Sequence, residues 1–151
     1  MLDDPDRRLL RQYLAAPEAG VSALADRVGL SPAAVSRRLD RLRRTGVIRG
    51  VHADIDWRAL GYEVEVSLRV TLDKTDPNAF DRFLDAARGV PEVVEIQTFL
   101  GRVDVRLSVL ARDMAQYQEI YRDRILTLPH IADIEALMQV AAIKTGQGLP
   151  I

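Results

Sequence analysis

Arg37, Arg41 and Arg44 recur at four- and three-residue intervals within the stretch VSALADRVGLSPAAVSRRLDRLRRTG, from Val21 to Gly46. On a helix that spacing puts the guanidiniums on one side. Forked donors of this kind match guanine O6 and N7 in the major groove and phosphate oxygens along the backbone. A helix enters that groove only if its leading residues are small, and Ala33, Ala34 and Ser36 meet the condition. Ala33, Arg37, Asp40, Arg41 and Arg44 form the predicted outer face, flanked by Ser36 and Arg38. Arg37 and Arg41 are therefore expected at base edges, with Ser36 and Arg38 at the rim. Arg43, Arg44 and Arg49 are expected on phosphates, which position a protein without reading sequence. Ser22 and Ser31 add hydroxyls and helix N-termini to that phosphate set.

These side chains need two short helices to position them. Ser22 is expected to cap the first, whose Leu24, Ala25 and Val28 share one face. Gly29 supplies the turn and Leu30 reaches back to the core. Ser31 caps the second helix, with Pro32 in its first turn, Val35, Leu39 and Leu42 along its apolar stripe, and Gly46 at its end. A solvated arginine face on an ordinary helical hairpin explains the charge alone. The joint placement of caps, small residues, turn glycine, apolar register and arginines favours a DNA-reading helix. From Arg27 to Arg49 there are seven arginines against one acid, Asp40, in a chain whose net charge is only -1. Concentrated positive charge is the footprint of a polyanion site.

The 151-residue chain has room for two small domains, and its halves differ in sign: residues 1–60 sum to +3 and residues 61–151 to -4. It contains no cysteine, which excludes disulfides and thiolate metal sites. No apolar run is long enough to cross a bilayer, and the N-terminus, MLDDPDRR, is acidic rather than signal-like. The expectation is a soluble cytoplasmic protein. Of the 21 basic residues 19 are arginine, which suits forked contacts and also fits a simple compositional bias.

Along the chain, Asp4 and Pro5 open a supporting helix with Leu9, Leu10, Tyr13 and Leu14 inward, ending near Pro17 and Gly20. Val47 to Asp56 reads as a strand, a glycine and a second strand, forming a wing and connector. Trp57, Leu60 and Gly61 then turn the chain, with Trp57 as a packing anchor. The expected division is a DNA-binding domain over 1–50, a connector over 51–61 and an oligomerisation and effector domain over 62–151. In the last of these, Tyr62 to Leu72 alternates cleanly between apolar and polar residues, as a half-buried antiparallel strand does. A helix from Asp76–Pro77 follows, with Phe80, Phe83, Leu84 and Ala87 inward. Strands at Val93–Phe99 and Val103–Leu110 turn at Gly101, a helix capped by Asp113 carries Tyr117, Ile120, Tyr121 and Leu128, and a last strand covers Ala132–Ile143. The predicted class is α+β: a winged helix-turn-helix joined to a ferredoxin-like βαββαβ module, a four-stranded antiparallel sheet with both helices on one face. The bare sheet face, with Leu137 beside Met138, suggests pairing with a second copy. A two-fold dimer would set two recognition helices roughly 34 Å, or a multiple, apart.

The residues LDDPDRRLLRQYL, VSALADRVGLSPAAVSRRLDRLRRTGVIRG, DWRALGY, GRVDVRLSV and LPHI together carry a resemblance. Over nearly its whole length the chain resembles the leucine-responsive and asparagine-operon regulators, the Lrp/AsnC or feast/famine family of prokaryotes. The resemblance implies a transcriptional regulator that binds operator DNA, dimerises, often assembles into octamers, and binds a small effector, commonly an amino acid. It also marks an effector region at Leu100, Gly101, Asp104 and Ala136. Relatives often place a small hydroxyl residue before the glycine and Thr in the last strand; here Leu100 and Ala136 stand instead. Loss of both hydroxyls removes donors for a polar amino acid, so either the effector is a more apolar metabolite or there is none. An aspartate just after a glycine turn, as Asp104 is, also commonly caps its own backbone.

An enzyme requires convergent titratable groups, and the supply is poor. His52 and His130 are the only histidines and neither has a partner nearby in sequence, so no catalytic residue, metal site or cofactor is expected. Two other readings remain beside a sequence-specific regulator: an architectural protein that wraps DNA through phosphates and deformability, and an effector-binding assembly module.

Overall fold

Asp3 opens helix α1 (Asp4–Ala15) through a reciprocal cap: its side chain accepts from the Asp6 N–H at 2.8 Å, and the Asp6 side chain accepts from the Asp3 N–H at 3.1 Å. Pro5 sits in the first turn, where its missing N–H costs nothing. Helix α2 spans Val21–Val28 and α3 spans Pro32–Arg44. Between them Gly29 adopts φ 69°, a left-handed conformation that a side chain would strain. Leu9, Leu24, Val35 and Leu42 are fully buried among these three helices. Leu14 departs from the expected inward face and is exposed.

Val47 to Asp56 forms no strand among the described residues, contrary to the two strands predicted there. The cause lies at the end of α3. Gly46, at φ 74°, turns the chain back so that the Ile48 N–H donates to the Leu42 carbonyl at 3.0 Å, and Ile48 packs on the helical core. A strand exists only through its ladder, and here the backbone donor is spent on closing a helix. Val47, Val51 and Ile55 are left exposed.

The computed structural model describes residues 1–143 and Pro150; the end of the predicted second domain, 144–149 and 151, lies outside the described residues. The described chain divides into two compact units, one at Met1–Asp54 and one at Ile55–Ile143.

The second unit has strand β1 (Val64–Leu72), helix α4 (Ala79–Arg88), strands β2 (Val93–Thr98) and β3 (Val105–Ala111), helix α5 (Met114–Ile120), a π-turn at Tyr121–Ile125, and strand β4 (Ile131–Met138). The sheet order is β2-β3-β1-β4 with every pair antiparallel, the βαββαβ arrangement expected. Val64, Val66, Leu68, Val70 and Leu72 alternate into the core, where Phe83, Ala87, Tyr117, Ile120 and Ile125 cover them. Phe80, expected inward, is exposed, and the α4 start falls at Ala79 rather than Asp76–Pro77. β4 ends at Met138, short of the predicted Ile143.

The opposite sheet face is more charged than its last strand suggested. Arg69 pairs with Glu135 at 3.8 Å, Arg106 with Glu95 at 3.1 Å, and the Ser108 hydroxyl donates to Glu65 at 3.2 Å. Met138 lies opposite Val66 and so shares the helix-covered side, while Leu137 pairs with Ser67 on the open one. Among the described residues no helix is long and apolar enough to cross a membrane.

Candidate nucleic-acid interface

Ser31 builds the start of α3: its side-chain oxygen accepts from the Ala34 N–H at 3.2 Å, leaving the hydroxyl proton free to donate outward. Ala33 and Ser36 are exposed and Ala34 is half-buried, so the leading turn presents little bulk. Ser22 does not cap α2. Gly20 occupies the N-cap with no side-chain bond, because the helix begins at Val21 and places Ser22 inside its first turn, exposed.

Ala34, Arg37, Arg38, Arg41 and Arg44 line a cleft of about 360 Å³. The structure thus brings together the arginines that sequence spacing placed on one side. Their states differ. Arg37 and Arg44 are exposed and make no hydrogen bond or ion pair among the described residues. Arg38 donates to Asp3 at 2.8 Å and to Asp6 at 2.7 Å, while Arg41 donates to both oxygens of Asp6. Arg43 reaches back to the Tyr13 hydroxyl at 3.3 Å and stacks 6.0 Å from its ring centroid. Arg49 is exposed beyond α3, on the rim of a separate cavity of about 260 Å³ that Leu10, Tyr13, Val47 and Val51 help to line.

The acids that hold Arg38 and Arg41 were not among the predicted site residues. The Asp-x-x-Asp spacing around Pro5 carried the signal, as a capping pair whose carboxylates have spare acceptor capacity. The Arg38 hydrogen bond, helped by the Asp6 N–H, holds the exposed Asp3 carboxyl down to about 2. Arg38 is correspondingly raised, first by its bond to Asp3 and then by Asp6.

In the second unit the expected effector residues fall on different elements. Leu100 and Gly101 are exposed at the β2–β3 turn, whereas Ala136 lies on β4 opposite Leu68, two strands from β3. Asp104 is buried, and it does not cap its own turn. Its Oδ2 accepts from the Leu72 N–H at 2.9 Å and its Oδ1 pairs with Lys74 at 2.7 Å. A cleft of about 450 Å³ lies beside them, lined by Arg69, Thr71, Arg102, Val103, Asp133 and Glu135. Among the described residues no group of His, Cys, Asp and Glu side chains could hold a metal ion.

Comparison with known proteins fits this geometry. Residues 2–49 match a family model described as winged helix-turn-helix DNA-binding, and residues 65–149 match one described as the Lrp/AsnC ligand binding domain. The chain is 32% identical over 143 residues to the proline dehydrogenase transcriptional activator of Rhodobacter capsulatus, covering 95% of this chain and 93% of that protein. Among solved structures it is similar to a transcriptional regulator from Neisseria meningitidis in complex with L-Met, with a TM-score of 0.91 at 25% identity over 99% and 97% of the two chains. It is also similar to an AsnC family transcriptional regulator from Agrobacterium tumefaciens, with a TM-score of 0.88 at 30% identity over 99% and 97%.

Proposed function

The chain belongs to the Lrp/AsnC family of transcriptional regulators, and on that footing we propose that it binds duplex operator DNA sequence-selectively through α3. The observation that carries this reading is the arginine-lined cleft beside a helix start of small residues, where Arg37 and Arg44 are exposed and make no hydrogen bond or ion pair among the described residues. Arg37 and Arg41 contact base edges, with Ala33 and Ala34 allowing close approach and Ser36 and Arg38 at the rim. Ser22, Ser31, Arg43, Arg44 and Arg49 meet phosphates.

Residues 1–50 serve as the DNA-binding domain, 51–61 as connector and 62–151 as the oligomerisation and effector domain. Two copies related by a two-fold axis present their α3 helices to successive major grooves, and dimers assemble further, up to an octamer. The second domain takes a small effector, either an amino acid or a more apolar metabolite; the L-Met complex of the Neisseria relative supports an occupant of that size. The protein works in the cytoplasm, and its output is occupancy of DNA rather than a chemical turnover.

Selection of bound fragments from the host genome, followed by footprinting, tests this. The expected result is an imperfect palindrome preferred over random DNA by ~10³-fold or more. A ratio near unity with steep salt dependence would identify an architectural DNA-wrapping protein instead.

A further inference from the structure

Helix α1 carries no expected DNA-contacting residue, yet its first turn reaches the α3 cleft. The Asp6 side chain is 0% exposed and receives Nη2 of Arg41, Nη1 of Arg38 and the N–H of Asp3. Asp3 adds a second carboxylate to the same Arg38 nitrogen at 2.8 Å. An ionised carboxylate without water is costly unless paired, so these partners hold one arrangement. Arg41 remains 42% exposed, and its Nε and Nη1 make no hydrogen bond among the described residues.

We propose that Asp6 is a positioning residue for DNA reading: by gripping one terminal nitrogen of Arg41 from beneath, it aims the remaining donors outward, and it withdraws Arg38 and Arg41 from indiscriminate phosphate contact. The proposal rests on the DNA-reading role given to α3 above. Its consequence is asymmetric. A free arginine follows any acceptor within reach, whereas an anchored one has already lost its rotamer freedom and meets only a correctly placed base edge. The buried acid also subtracts charge from sequence-independent attraction. Asp6 therefore widens the gap between specific and non-specific DNA while weakening non-specific binding. A residue that only held α1 against α3 would move both affinities together.

The test uses the full-length protein and two duplexes of equal length, one selected by the wild type from a random-sequence library and one scrambled, at several salt concentrations. For Asp6→Asn the specific-to-scrambled ratio falls roughly tenfold, the scrambled duplex binds more tightly, and its slope of log affinity against log salt steepens by about one. Asp6→Glu keeps the charge and moves the carboxylate; it lowers the ratio while leaving scrambled-duplex affinity unchanged, and it replaces Asp6→Asn if circular dichroism shows that variant unfolded. In an Arg41→Gln background, Asp6→Asn loses most of its effect on the ratio. An unaltered ratio in the folded Asp6 variants, or equal weakening on both duplexes, overturns the proposal. Arg37→Ala on the same pair separates the two claims. If it lowers the ratio and the Asp6 variants do not, the positioning role alone fails. If it too leaves the ratio unchanged, or no duplex is selected, the DNA-reading role fails and the positioning role with it.

Discussion

The backbone N–H of Leu72 donates to Oδ2 of Asp104 at 2.9 Å, stitching the end of β1 to the residue that precedes β3. Asp104 returns a second tie, its own N–H reaching the Val70 carbonyl at 2.9 Å, while Lys74 neutralises its other oxygen. A carboxylate so occupied is a staple of the sheet. Little of it is left for an effector.

Burial alone would raise the Asp104 carboxyl, but the Leu72 N–H and Lys74 together outweigh it and the net shift is downward. Its stabilisation is fully present above the ordinary carboxylate value of 3.8 and is lost as pH falls through the lower folded-state value. Asp104→Ala, which leaves the Leu72 N–H unpaired, costs about 1–3 kcal/mol at neutral pH. Urea unfolding across an acid series checks both points: the variant's stability changes less with pH in that window than the wild type's.

Arg37 and Arg44 share the cleft, and the proposed reading gives them different roles. Arg37→Ala costs about 1–3 kcal/mol on a selected site and little on random DNA, whereas Arg44→Ala weakens both alike and lowers the salt slope by about one. Fluorescence anisotropy on the two DNAs at three salt concentrations measures it. Identical losses from both substitutions on both DNAs would refute the division of labour.

Ser31 caps its helix and Ser22 does not, so equivalent truncations separate. Ser31→Ala destabilises the protein by about 1 kcal/mol, in line with a lost N-cap, while Ser22→Ala stays within about 0.5 kcal/mol. Chemical denaturation followed by far-ultraviolet circular dichroism reads the difference, and equal losses would contradict the capping assignment.

Leu100 and Ala136 supply no hydroxyl for a polar ligand, so polar amino acids are expected to bind weakly or not at all. Calorimetric titration with asparagine, glutamine and lysine should give no saturable heat in the micromolar range. A micromolar complex with any of them would show that other groups do the recognising.

Much of the fold was legible in the chain. Strand β1 announced itself because one of its faces is buried and the other is not, which forces strict alternation from Val64 to Leu72. Gly29 and Ser31 were legible because each performs a backbone task that few residue types can. Val47–Asp56 misled because its valines and isoleucines have strand propensity, which counts only where a ladder partner exists. Within the candidate site, the placement of Arg37, Arg38, Arg41 and Arg44 along one cleft followed from helical spacing. Their partition did not, since the Asp6 bonds to Arg38 and Arg41 span 32 and 35 residues and only tertiary packing creates them.

The wide turn at Tyr121–Ile125 makes the second domain sensitive to a single-codon deletion. In an unbroken α-helix from Met114, position 124 rather than 125 would follow Tyr117 two turns on, and each removed residue rotates everything after it by about 100°. The extra residue lets Ile125, fully buried, fill the slot that Arg124 would otherwise occupy. Losing one residue between Tyr121 and Arg124 would restore ordinary helical winding and shorten the path to β4, so a frame-preserving lesion there is more damaging than many of the point substitutions around it.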